Sequence, residues 1–397
     1  MMSLCRLTVL ASAACLILSG PVLGQSDEML MIDNPFFDER GGGEFGRSVA
    51  IAGDQVLVGA PLARDEEGVE AGLAYLFDGA TGDLVHVLEG EAPGPIGLIG
   101  FSVAAANGLS LVGGYGDDPA GVFESFAGAA YVFDNATGER LHKFTNPVDD
   151  GSTNFGNAVA LSERYALIGA PKSGAAGQAF LFDVESGAHL QTFEMPDDSS
   201  DAGFGDAVAV ADGLAVISAR LDGQVGAVFV FDTTSGDLLR TIPNPTPAGY
   251  DNFGEEIALA GENLLIGACG DDNYPGGAAY LFDVQTGEQR RVFVHPEEAE
   301  GFICFGEGIS LSRDHAVVSA FFGGGQGSGP FKAEVLIFAL DTGELVDRHT
   351  LINQAAEGSP YDVSTALASD QLAIAISMDD RQGSRAGSAY VLPIPSQ

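Results

Sequence analysis

A unit of about 50 residues recurs seven times along this chain, and that periodicity restricts it to repeat architectures. The cleanest copy runs from Phe155 to Glu194, FGNAVALSERYALIGAPKSGAAGQAFLFDVESGAHLQTFE. Ala158 to Leu161 and Ala166 to Ala170 are small or β-branched apolar runs separated by the polar pair Glu163-Arg164, the pattern of a tight hairpin. After a Gly-rich loop, Ala179 to Phe182 forms a third strand. Asp183-x-x-Ser186-Gly187 reads as a turn in which the Asp accepts backbone N–H groups and Gly supplies positive φ. Leu190 to Phe193 is the fourth strand. Four short antiparallel strands have two open edges and too little core to stand alone, so repetition around an axis is the expected remedy.

Aligned on the Phe-Gly that opens the unit, the copies start near Phe45, Ile99, Phe155, Phe204, Phe253, Phe305 and Tyr361. A second-strand motif of small residues recurs, as in Gly59-Ala60-Pro61, Gly169-Ala170-Pro171 and Gly267-Ala268-Cys269, where strands converge near the axis. The third strand recurs as Ala74 to Asp78, Ala130 to Asp134, Val228 to Asp232 and Ala279 to Asp283, with aromatic positions expected to pack between neighbours. The Asp-x-x-Thr/Ser-Gly turn follows in five copies, and in the sixth Ala339 replaces the Asp. The expected fold is an all-β, seven-bladed propeller of four-stranded antiparallel blades covering residues 25–397. Blade seven ends at its third strand, whereas Met29 to Ile32 followed by Asn34-Pro35 matches a fourth-strand ending. Residues near 28 to 34 are therefore expected to close the ring.

The Phe-Gly and Gly-Ala-Pro signatures resemble FG-GAP repeats, the units of the seven-bladed propeller of integrin α subunits, and the resemblance spans the whole mature chain. It implies ligand recognition or adhesion outside the cell, without catalysis by the propeller itself. The calcium sites of that family are not carried over. They need an Asp-rich cage between the first and second strands, and calcium takes six to eight oxygens. Here those connections are short pairs such as Gly53-Asp54, Asn107-Gly108 and Asp212-Gly213, each with at most one carboxylate. The third strand and turn are also similar to repeats of quinone-dependent dehydrogenase propellers, which dock blades with a Trp, and this chain has none.

Positions 1–24 read as a secretory signal peptide, with Arg6 before the apolar run Leu7 to Leu18 and small residues before Gln25. The protein is expected in the medium, in the periplasm or at the cell surface, as a monomer. There are 56 Asp plus Glu against 17 Lys plus Arg, a formal charge of -39. Such a surface repels phosphate backbones and anionic lipid heads, so neither nucleic acid nor membrane insertion is expected. Cys269 ends the second strand of blade five and Cys304 precedes the first strand of blade six, on the same face of adjacent blades. A disulfide between them is expected, with buried free thiols as the alternative.

No Ser, His and Asp set stands out as a triad, because each repeated position already has a structural explanation. His86, His142 and His189 fall on fourth strands and read as solvated, and Asn135-Ala136-Thr137 is the repeat's own turn as well as a glycosylation sequon. Acids collect on the face carrying the long loops between strands two and three and the links between blades. The candidate ligand-binding residues there are Asp65, Glu66, Glu67, Asp117, Asp118, Asp149, Asp150, Asp197, Asp198, Asp271, Asp272, Asp379 and Asp380. Asp117, Asp118, Asp271 and Asp272 are also candidate ligands of a divalent cation such as calcium. The leading expectation is a binding propeller for an extracellular protein or glycan. A polysaccharide hydrolase or lyase, with acids converging on the central funnel, is the second, and a structural assembly component the third.

Overall fold

A computed structural model of the chain describes residues 29–37, 42–65, 68–91, 96–117, 126–148, 151–197, 199–221, 223, 225–247, 251–271, 273–274, 276–297, 302–323, 331–353, 363–368, 370–377 and 386–394. The expected leader at 1–24 lies outside them. The strands form seven separate four-stranded antiparallel sheets, each built from strands consecutive in sequence except the last. Blade three shows the plan: Val159–Leu161, Tyr165–Ala170, Gln178–Asp183 and His189–Glu194 pair in that order. These are the four strands read from the sequence. Asn107-Gly108 and Asp212-Gly213 have positive φ at both central positions, so they are the two-residue hairpin turns expected between strands one and two.

The ring is closed by the N-terminus. Leu30–Asp33 pairs antiparallel with Ser388–Pro393, Leu30 opposite Val391 and Asp33 opposite Ser388, and becomes the outer strand of blade seven. Asn34 fixes the chain as it leaves that strand, its Nδ2 donating to Gly42 O at 2.5 Å and to Ala386 O at 3.0 Å.

The core is a set of slabs between blades. Leu57, Leu76 and Leu88 of blade one pack with Ile99, Tyr131 and Phe133 of blade two, and the same arrangement recurs between blades two and three. Phe45, Ile99, Phe155, Phe204, Phe253 and Phe305 are each fully buried, as wedges set into these slabs. Each wedge is followed by a glycine, whose role is now specific. A Cβ on Gly59 would collide with the carbonyl of Gly100 in the next blade. Gly113, Gly169 and Gly267 stand in the same relation to Gly156, Gly205 and Gly306. The Gly of the second-strand motif thus exists to let the next blade's Phe-Gly approach. That is closer packing than general convergence near the axis requires.

At the rim, Asp78 Oδ1 accepts the amides of Ala80 and Thr81 at 2.9 Å, while Gly82 with φ 76° closes the turn on Asp78 O at 2.8 Å. These backbone donors hold the Asp78 carboxyl below the usual carboxylate range. In blade six, where Ala339 stands, Gly343 N still reaches Ala339 O at 2.8 Å and Asp341 caps Thr342 N. Beside this turn the ladder slips by one residue in six blades, for example between Leu181 and Phe182.

Candidate functional site

Strand order places the loops between strands two and three on the same face as the links between blades, where the candidate acids were expected. Asp65, Asp117, Asp197 and Asp271 are described; Glu66, Glu67, Asp118, Asp149, Asp150, Asp198, Asp272, Asp379 and Asp380 lie outside the described residues. Asp65 turns back on its own loop, accepting Val69 N at 2.8 Å. Asp197 is exposed, and hydrogen bonds from the Ser199 side chain and, at 2.9 Å, from Ser199 N lower its pKa.

Asp117 and Asp271 are not solvated at all. Asp117 is fully buried, accepts the hydroxyl of Tyr131 and lies 3.5 Å from Lys143 Nζ. Asp271, 2% exposed, accepts from the hydroxyl of Tyr280 and from Thr246 Oγ1 at 2.9 Å. Burial first, and then the neighbouring carboxylates, push both tyrosine pKa values up. Asp117 is held by residues of blade two and Asp271 by blade five and the link leading into it, so the two are not brought together as a shared cation cage. No group of three or more His, Cys, Asp or Glu able to hold a metal occurs among the described residues.

The structure instead assembles a site along the axis. The residues following each Phe-Gly begin the innermost strand at the long-loop face, and there they surround a cavity of about 470 Å³ lined by all seven blades. None of these was nominated from the sequence. Arg47 of blade one lies over the Phe101 ring of blade two at 4.5 Å. Arg220 Nε meets Asp206 Oδ2 at 2.6 Å, and its Nη1 lies 4.0 Å from Glu255 Oε1 of the next blade. Enclosure alone would lower the Arg220 pKa, but the two carboxylates outweigh it and raise the value. Glu256 and Glu307 complete the charged lining. Backbone donors are tied across blades here, Val49 N to Ser364 Oγ at 3.2 Å and Val159 N to Ser102 Oγ at 3.1 Å.

Glu256 is distinctive. Water reaches its side chain through the cavity, yet the blades surround it. That enclosure, reinforced by Glu255 and Asp206 and opposed by Arg47, pushes its pKa up to about 7.

A second set of residues missed in the sequence sits at the rim. The third residue of an outer strand reaches the next blade's Asp-x-x-Thr/Ser-Gly turn. His142 Nε2 lies 3.2 Å from Glu185 O, Gln191 Nε2 donates to Thr234 O at 3.3 Å, Arg240 donates to Gln285 O, and Arg291 Nη2 donates to Asp341 O at 3.3 Å. These side chains are latches between blades. Asn135 is likewise structural: it is 2% exposed and its Oδ1 accepts from Ser110 Oγ at 2.6 Å.

An all-β ring of seven four-stranded blades with an axial polar cavity defines a seven-bladed β-propeller. The FG-GAP repeat family matches residues 38–77 and 246–282, covering parts of blades one and five, and together with the seven-bladed ring these matches support an FG-GAP propeller. No curated protein matches it. The fold fits a binding or scaffold role.

Proposed function

We propose that this is an extracytoplasmic, non-catalytic binding propeller that holds its ligand at the mouth of the axial channel on the long-loop face. The observation that supports it is the cavity itself: seven innermost strands leave about 470 Å³ lined by charged and hydroxyl side chains. That volume falls in the range of small-molecule sites, and a convergent polar lining is their usual mark. The surrounding loops supply the surface for an extracellular protein or glycan carrying the bound group. Calorimetric titration with panels of extracellular glycans and soluble proteins tests this, using Ala158→Trp to fill the channel. Saturable binding lost in that variant supports the reading, and binding indifferent to it overturns the channel as the site.

One observation favours a polysaccharide-cleaving enzyme as the second reading. A carboxyl group with its pKa raised to about 7 in a funnel is what a general acid requires. Against it, Asp206 and Glu255 are engaged by Arg220 and poorly placed to serve as base or nucleophile. Release of reducing ends from a soluble polysaccharide, abolished by Glu256→Gln, would establish the enzyme.

A further inference from the structure

We propose that the axial channel takes a small organic cation bearing a protonated primary amine, received by the side chain of Glu256. The proposal rests on the reading of the channel as the ligand site and names the class of ligand.

Two independent observations converge on it. The second residue after the Phe-Gly pair faces the cavity in every blade, and in six blades it is small: Ser48, Ser102, Ala158, Ala207, Gly308 and Ser364. Only blade five places a long charged side chain there. Six small residues leave the space open, and Glu256 alone extends into it from this ring.

The second observation is that the Glu256 carboxylate has no hydrogen-bond or ion-pair partner among the described residues, its backbone carbonyl alone being engaged, by Gly267 N at 2.9 Å. Its carboxyl group feels Glu255, Asp206 and Arg47 only at a distance. Asp206 and Glu255, by contrast, are held by Arg220. A solvent-reached carboxylate that lines the cavity and is not taken up by an arginine is available to pair with a cation entering the channel.

Charge decides the sign of the ligand. The groups facing Glu256 are its chain neighbour Glu255, Asp206 and Arg220 from blade four, Glu307 from blade six and Arg47 from blade one. Four carboxylates, Glu256 included, against two guanidinium groups leave the lining negative. A calcium ion fits badly, because it needs six to eight oxygens and two of the four carboxylates are already paired with arginine. A protonated amine needs a few acceptors and brings apolar carbon, which Val49, Val103 and Phe101 can cover.

Only the ionised carboxylate receives the amine. With its pKa near 7, the ionised fraction of Glu256 rises roughly thirtyfold between pH 5.5 and 8, and affinity should rise with it.

The test is isothermal titration at 150 mM NaCl with 1,4-diaminobutane, butane-1,4-diol and succinate. The proteins are the parent, Glu256→Gln, Glu256→Asp and Ala158→Trp, each checked by its melting curve. The diamine should bind saturably and more tightly at pH 8 than at pH 5.5, at least tenfold more weakly in Glu256→Gln, partly recovered in Glu256→Asp, and not at all in Ala158→Trp. Diamine binding unchanged in Glu256→Gln, or no diamine binding, overturns the proposal. Diol or succinate binding that Ala158→Trp removes, with none of the diamine, overturns the cation while leaving the channel reading intact. Diamine binding that survives Ala158→Trp overturns both, assigning it to the acidic surface.

Discussion

The seam between blades five and six and the seam between blades seven and one solve one packing problem by different means. Both bury an aromatic wedge, Phe305 or Phe45, against the preceding blade. The five–six seam joins blades that are consecutive in the chain and adds a covalent tie, the Cys269–Cys304 disulfide with Cα atoms 4.7 Å apart. It also carries a buried charge: His295 from the link reaches Glu334 Oε2 at 2.9 Å, with Lys332 and Arg348 beside it. Burial works against the Glu334 carboxylate, but the hydrogen bonds from His295 and Lys332 and the charges of Lys332 and Arg348 outweigh it and lower its pKa to about 2. The seven–one seam joins opposite ends of the chain with no covalent help. It relies on a borrowed strand, the buried Ile32 and the Asn34 bridge. Where the backbone already holds two blades together, side chains suffice; where it does not, a whole ladder of hydrogen bonds is recruited.

The largest effect should come from removing that ladder. Deleting residues 25–36 strips the outer strand from blade seven, exposes the edge of Ser388–Pro393 and empties the place of Ile32. With each kcal/mol worth a few degrees in a domain of this size, the melting temperature should fall by roughly 10 °C or more. An unchanged calorimetric trace would show that the closing seam needs no strand.

Next comes the contact shared by ordinary seams. Gly169→Val drives a side chain into the carbonyl of Gly205 and should cost about 3–5 kcal/mol, or prevent folding. Ser218 occupies the equivalent position in blade four, so Gly169→Ser should be milder. Equal midpoints for the two variants in urea would refute steric contact as the reason for glycine. Third is the disulfide. With a sequence separation of 35, replacing both cysteines by Ser should cost about 3–4 kcal/mol by loop-closure arithmetic, measured as the denaturation midpoint with and without reductant. A loss larger than that of the N-terminal deletion would invert the ranking of the seams.

Both seams were largely readable in the sequence, because each depends on residues that recur in register or, like Met29 to Pro35, repeat a strand ending found elsewhere. The first strand of blade six does begin earlier than the Phe305 register implied, at Phe302, so that Cys304 lies within it. The fate of the loop acids was less legible. Asp117 and Asp271 look like surface carboxylates until Tyr131 and Tyr280 are placed beneath them, and the equivalent residues Phe180 and Phe229 in blades three and four carry no hydroxyl. An Asp in the loop paired with a Tyr at that third-strand position was the available signal. The channel was hidden for another reason. Its lining takes one or two residues from each of seven distant stretches, and no linear motif joins them. Only the exception to the small-residue rule, Glu256, was there to be noticed.

The smallest effect is expected where neither seam is favoured. Glu256 faces Asp206 across one blade boundary and follows Glu255 in the chain, so its charge loads the ring at the axis. Its pKa rises from 4.5 in the unfolded chain to about 7 in the fold. A raised folded value means stabilisation that is complete below the unfolded pKa and lost as pH rises through 7. Glu256→Gln should therefore leave stability nearly unchanged at pH 4 and raise it at pH 8. Water in the channel screens the charge, which limits the gain to about 1 kcal/mol, or a few degrees. Because the load falls on the axis, the increment should be the same in the parent, in the cysteine-free variant and in the N-terminal deletion, as expected for independent sites. A gain at pH 8 confined to one background would tie Glu256 to that seam. A gain at pH 4 and none at pH 8 would show that its pKa is not raised at all.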